Sequence, residues 1–346
     1  MPVRHRFLPL ISALLLPITP LAAQGARYSL SGSDIAIYNL VGEMRIEAGS
    51  GSAVVVEVTR RGSDASKLEV QSGPINGRQT LRVVYPADRI IYPAMGRHSE
   101  SETRVNDDGT FNGKRGHEVT IAGYGSGLEA SADLRVLVPA GQRIAVNLVA
   151  GRVVATNVNG QLAVDVSSAD VQTTETRGGL SIDVGSGDVK VSDAEGDVNV
   201  DTGSGSVTLT GIKGGDVGID TGSGDVTGTT LGARSLKIDT GSGGVHLSGL
   251  ASADVNIETG SGEIELDVDA TLRTFHAETG SGDVKLRAPA SLGAEVDFET
   301  SSGEIRSDFD VAVTRREEDH LVGRIGDGRG RMSIDTGSGD VTLTRK

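Results

Sequence analysis

Carboxylates bracket a glycine-serine-glycine triplet again and again along this chain. Residues 219–226 read IDTGSGDV, and the same eight letters recur at 334–341. Near-copies begin at Ile182, Val200, Ile238, Ile257, Ala277 and Phe298. Asp183, Asp220 and Glu278 precede the triplet, and Asp188, Asp225 and Asp283 follow it. Oxygen ligands on a glycine loop are what calcium selects, so these six residues are the candidate cation ligands. Their spacing departs from the tandem nine-residue calcium repeat G-G-x-G-x-D-x-U-x, because here the acid follows the second glycine directly. Asp beside Gly is also an ordinary turn former that bonds nearby backbone. Two unit charges about 4.8 Å apart in water repel by less than ~1 kcal/mol, so an exposed ladder of acids needs no metal. The octapeptide therefore reads as a device that holds a shape, with a calcium-binding acidic ladder as the alternative.

Other chemistry finds little support. His98, His117, His246, His276 and His320 show no paired metal-ligand spacing. Residues 326–330, GDGRG, resemble a phosphate loop, but no helix follows to present its N-terminus to an anion. A nucleophile repeated once per period would have no unique site. A polysaccharide-modifying β-helix enzyme is the enzymatic alternative, since paired acids on a repetitive face could act on sugar. Such sites stack sugars on aromatic rings, and the repeat region offers little beyond Phe275 and Phe298. No catalytic residue and no cofactor is expected.

The elements that carry the acids repeat with a period of 18–21 residues, the mark of a stacked architecture. Two weaker copies, VNLVAGRV at 146 and VDVSSADV at 164, extend the period backwards. Within one period the alternation is strict: Val255, Ile257 and Thr259 share one side, Asn256 and Glu258 the other. Past the triplet, Ile264 and Leu266 return inward while Glu263 and Glu265 face out. A period of two predicts half-buried strands. Each coil is then strand, Gly-Ser-Gly corner, strand, second corner. The corner glycines are Gly185, Gly187, Gly203, Gly205, Gly222, Gly224, Gly241, Gly243, Gly260, Gly262, Gly280, Gly282, Gly337 and Gly339. They are expected because a tight corner needs backbone angles that a Cβ resists. Like strands of successive coils stack in parallel, giving an all-β, parallel β-solenoid of the right-handed single-stranded β-helix type. Inward Thr202, Thr221, Thr240, Thr259, Thr279 and Thr336 form a column able to bond the turn backbone.

Residues 1–23 have the layout of a signal peptide: the basic start MPVRHR, the apolar FLPLISALLL, then small residues before Gln24. The apolar run is about half of the roughly 20 residues a spanning helix needs, so no membrane span is expected after cleavage. The 346 residues carry a net charge of −14, which disfavours nucleic acid as a partner. With no cysteine there is neither a disulfide nor a lipid-anchoring thiol. Residues 27–85 read as N-terminal β coils or a cap, and 86–118 as a polar loop or insertion. Residues 119–346 read as the solenoid, interrupted at 307–331. The step from 298 to 334 reads as two periods with the middle signature missing.

The run DLRVLVPAGQRIAVNLVAGRVV, with its Val138–Gly141 step, the TGSGDV corners and the closing GRIGDGRGRMSIDTGSGDVTLT carry a resemblance. The chain resembles the bacterial putative-adhesin family of β-strand repeats. That domain of unknown function is related to the head domain of autotransporter adhesins. The resemblance implies a parallel β-solenoid at the cell envelope with no established enzymatic activity. The expected protein is thus exported, to periplasm, medium or cell surface, with an unidentified protein or glycan ligand there. Self-association is a further expectation.

Overall fold

A computed structural model describes residues 25–111, 113 and 115–346, so the expected signal peptide lies outside the described residues. Among the described residues there is no α-helix, only strands and two short 3-10 turns. Alternating apolar residues at period two make each coil two strands, and the two strands join two parallel ladders, one on either side of the corner. Asp34–Ala48 is the first coil, and Gln142–Thr156 stacks on it in parallel. Gly160–Thr174 follows, then 180–192. The stack continues through 254–268 to 274–288 in parallel register, with single shifts after Gly196 and after Leu247. The fold is a parallel β-solenoid.

Like residues stack on like. Ile182, Val200, Ile219, Ile238 and Ile257 are successive partners in one buried column. Val207, Val226, Val245, Ile264 and Val284 form another across the corner. Each fully buried side chain contributes roughly 1.5–3 kcal/mol, and only neighbouring coils complete its burial. Where one column widens, its neighbour narrows. Phe275 and Ala277 share a coil, and further on Val296 and Phe298 share another, with Met332 and Ile334 between them.

At the N-terminal end Arg78–Val84 and Ser131–Val138 pair with the first coil in parallel, and antiparallel strands then close the stack. Arg78–Val84 and Glu69–Ile75 extend the first ladder; Ser131–Val138, Val54–Arg61 and Ala26–Leu30 extend the second. Beneath them a buried polar knot is satisfied internally. Asn39 Nδ2 donates to the carbonyls of Ala132 (2.7 Å) and Val41 (3.1 Å), and the Tyr85 hydroxyl donates to Asn39 Oδ1 at 2.8 Å. Burial pushes the Tyr85 phenol far above its ordinary range.

One expectation is narrowed and another corrected. Of the two readings of 86–118, loop or insertion, the structure has an ordered insertion: Arg89–Ile91, Glu100–Val105 and His117–Ala122 make a separate three-stranded sheet. A few buried apolar residues, Ile90, Ile91, Val119 and Ile121, suffice to hold it. At the other end, no silent coil fills the step from 298 to 334. Val311–Arg316 and His320–Ile325 pair as an antiparallel hairpin, the outer strand exposed along nearly its whole length. Residues so exposed lack the inward face a coil needs. The chain then returns, and the coil 330–345 inserts between 274–288 and 294–307. The last coil in sequence is therefore next to last in space.

Candidate functional site

The corner edge is where the repeated carboxylates and glycines meet. A methyl group on Gly203 would lie 2.7 Å from the carbonyl oxygen of Gly185 in the coil before. On Gly222 it would lie 2.6 Å from that of Gly203, and on Gly241 2.6 Å from that of Gly222. Gly260, Gly280 and Gly337 repeat this approach to the preceding coil. In the second column, Gly205, Gly224, Gly243, Gly262, Gly282 and Gly339 approach the carbonyl of the previous coil more closely still. Among the corner glycines only Gly187, Gly205 and Gly224 take a left-handed φ (144°, 131° and 136°). The expected reason for the glycines is corrected accordingly: stacking distance excludes a side chain at most of these positions, and backbone angle matters at three.

Towards the C-terminal end the inward threonines bind these corners together, whereas Thr202 bonds the Ser204 carbonyl of its own coil and the buried hydroxyls of Thr221 and Thr240 have no partner among the described residues. Thr259 Oγ1 donates to the Gly243 carbonyl at 3.2 Å, and Thr279 Oγ1 to that of Gly262 at 3.0 Å. Thr336 donates to Gly282 at 3.0 Å, and Thr300 to Gly339 at 2.9 Å. Each bond joins one coil to the preceding one in the stack.

The trailing acids of the cation reading have the same duty. Asp188 Oδ1 accepts the Ser206 N–H at 2.9 Å, and Asp225 Oδ1 accepts that of Gly244 at 2.9 Å. Asp283 Oδ1 accepts the Asp340 N–H at 3.0 Å. The leading acids stand apart on an exposed strand face. Asp183 is in register with Asp165 and Asp201, Asp220 with Asp201 and Asp239, and Glu278 with Glu258 and Asp335. Glu278 lies 3.6 Å from His276. Among the described residues no three His, Asp or Glu side chains come together as a group that could hold a metal ion.

Sequence reasoning missed two features. At the second corner, Arg234 Nε donates to Asp216 Oδ1 at 2.8 Å while Ser235 Oγ donates to the same oxygen at 2.8 Å. Arg273 and Thr274 treat Asp254 the same way, at 2.8 and 2.7 Å. Arg234 and Ser235 hold the Asp216 carboxyl down to about 2, and Arg273 with Thr274 lowers that of Asp254. The signal was available, since each Arg follows its Asp by one period. The second feature is a groove of ≈ 470 Å³ between the inserted sheet and the corner edge. Tyr92, Met95 and Ser99 face Arg152, Asp170 and the backbone of Ser186–Gly187 across it. Burial raises the half-buried Tyr92 phenol above its ordinary value. Nearby in sequence, the Arg97 guanidinium sits 4.7 Å from the ring of Tyr124, which is 64% exposed. This groove depends on folding of the stretch read as a loop or insertion, so no local pattern announced it.

No helix of the described residues is long and apolar enough to cross a membrane. Residues 178–344 match the family model described as Toastrack DUF4097. No curated protein matches the chain. Among solved structures, one described as a putative cell adhesion protein from Clostridium sporogenes is similar at 9% identity and a TM-score of 0.20. That similarity covers 93% of this chain and 99% of the other.

Proposed function

We propose, from the match of residues 178–344 to the Toastrack DUF4097 model, a β-repeat domain of unknown function, that the protein is a non-catalytic, exported module of the cell envelope or surface that binds a ligand on its repetitive β scaffold. One observation carries the reading. The carboxylates best placed for repeated chemistry, Asp188, Asp225 and Asp283, each accept a backbone N–H from the next coil. Their repetition serves stacking, and stacking builds a scaffold.

Function then needs a place where the surface is not repeated, because a site rather than a fold carries activity. The groove beneath the inserted sheet is such a place. It offers a half-buried aromatic face at Tyr92, an apolar neighbour at Met95, and both charge signs at Arg152 and Asp170. An aromatic face rimmed by polar groups suits a sugar ring, which stacks its C–H face and hydrogen-bonds at its edge. Export rests on the sequence of residues 1–23.

Fragments of envelope glycan titrated calorimetrically into the mature chain test the ligand reading. Saturable binding that is lost in Tyr92→Ala, with the glycan recovered intact, is the expected result. Binding unchanged in Tyr92→Ala, or cleavage of the glycan, would overturn it. Mass spectrometry of protein recovered from the envelope fraction should find Gln24 at the N-terminus.

A further inference from the structure

The coil 330–345 is held by the kinds of bond that also join its nearest neighbours in the stack, such as Thr259 to Gly243 and Thr279 to Gly262. Thr336 donates to the Gly282 carbonyl on one side, and the Gly339 carbonyl accepts from Thr300 on the other, at 3.0 and 2.9 Å. Asp283 accepts the Asp340 N–H at 3.0 Å, and Asp340 accepts the Glu304 N–H at 2.9 Å. None of this recognition is peculiar to the segment that fills the slot. Its octapeptide is letter for letter that of residues 219–226.

The path into the slot makes the segment separable. Ala294–Thr300 pairs with His320–Ile325 on one edge and with Gly330–Thr336 on the other. Between those two strands the chain turns at residues 326–329, crossing Leu292–Gly293 with Gly326 at φ 55° and Gly328 at φ 69°. Chain growth that adds coil upon coil cannot leave this gap. Coil 294–307 must stand off from coil 274–288 until the final coil enters. The tether is an antiparallel hairpin whose outer strand is exposed; one ladder to Ala294–Thr300, the buried Leu321 and Ile325 and the His320–Asp297 contact hold it in place.

We propose that the slot between coils 274–288 and 294–307 is an acceptor site for a two-strand coil of this repeat, filled in cis by residues 330–345 and in trans by the same segment of a second copy. The slot selects its occupant by register. An entering coil must offer a threonine hydroxyl to Gly282, a glycine where the Gly280 carbonyl approaches, and an aspartate to the Glu304 N–H. Residues 330–345 of a second copy meet all three demands. The short tether gives cis closure an effective concentration on the order of mM. Exchange therefore takes place when slot and segment open together at comparable protein concentration, as during refolding. The exchanged dimer is reciprocal and keeps every contact of the monomer.

The chain has no cysteine, which makes the test direct. Glu278 and Asp335 are exposed register partners, and Asp335 is likewise the partner of Glu299. Adjacent strands bring such partners within disulfide reach, about 4.4–6.8 Å between Cα atoms, whereas Glu278 and Glu299 have a strand between them. Glu278→Cys and Asp335→Cys are made as separate chains, mixed equally, unfolded, and refolded together under oxidation from micromolar to millimolar protein. A covalent dimer joining the two variants, rising with concentration, is expected. The double variant Glu278→Cys/Asp335→Cys should close within one chain at low concentration. Glu278→Cys/Glu299→Cys in one chain should not close. Closure of that 278–299 pair would mean the coils stack in sequence order and no slot exists. Cis closure without any concentration-dependent mixed dimer would mean the slot admits only its own segment. If a variant fails to match the parent's circular dichroism, light scattering of refolded parent chain decides instead. A discrete dimer that melts like the monomer supports exchange, and monomer alone at millimolar protein overturns it.

Discussion

At the scale of single residues, the corner combines two requirements that a sequence displays as one motif. Gly241 shows the first, since a Cβ there would meet the Gly222 carbonyl at 2.6 Å and its φ is not left-handed. Gly241→Ala should therefore destabilise by more than the roughly 1 kcal/mol that a backbone preference alone explains, because a carbonyl held in a ladder cannot retreat. Gly77→Ala is the contrast: φ is 82° and the space around it is open, so only the strain of the turn is felt. Urea unfolding of the two variants separates packing from conformation. Asp225 shows the second requirement. Asp225→Asn keeps an oxygen for the Gly244 N–H and should change stability by less than ~0.5 kcal/mol, while Asp225→Ala removes the acceptor and should cost about 1 kcal/mol. Melting with calcium and with chelator, at matched ionic strength, should give the same midpoint for parent and variants. A saturable rise with calcium that Asp225→Asn abolishes would restore the cation reading, by mass action on the folded state.

Strands and corners behave as units, and the second corner makes the stack sensitive to acid. Arg234, then Ser235, hold Asp216 at about 2 against an ordinary 3.8. A carboxyl depressed in the folded chain stabilises fully above its unfolded value and loses that contribution as pH falls through the folded one. The stability gap between parent and Asp216→Asn should therefore be constant above pH 4, narrow below about 3.8, and close near 2. Because these groups face solvent, salt should shrink the gap throughout. Thermal melts across that range check both the direction and the window. Alternation at period two and the coil spacing were legible in the sequence because each inward column repeats locally. The sheet at 89–122 was not, because its strand Glu100–Val105 alternates polar residues and buries only Val105. The order of the final coils was not legible either. The glycines and threonines repeated at every corner carry no local mark of which slot a coil takes, and pairing across 57 and 36 residues decides.

For the whole molecule, one ladder at each end of the stack finishes in a strand that discourages further pairing. Glu69–Ile75 carries Pro74, which has no N–H to offer a neighbour, and Val311–Arg316 carries two arginines and a register shift after Val313. Such edges resist end-to-end growth. The route to a dimer lies inside the stack, through the slot, and not at these edges. The alternation of wide and narrow coils has a consequence of its own for assembly. Near-identical rungs would give a folding chain no means of counting, since a slip by one period would match every threonine and glycine again. Phe275 beside Ala277, and Phe298 beside Val296, serve as addresses. A slip by one rung sets a ring in a place sized for isoleucine or leaves a methyl facing a void, and volume errors of that kind cost about 1–3 kcal/mol each. Two phenylalanines thus give a repetitive chain a sense of position.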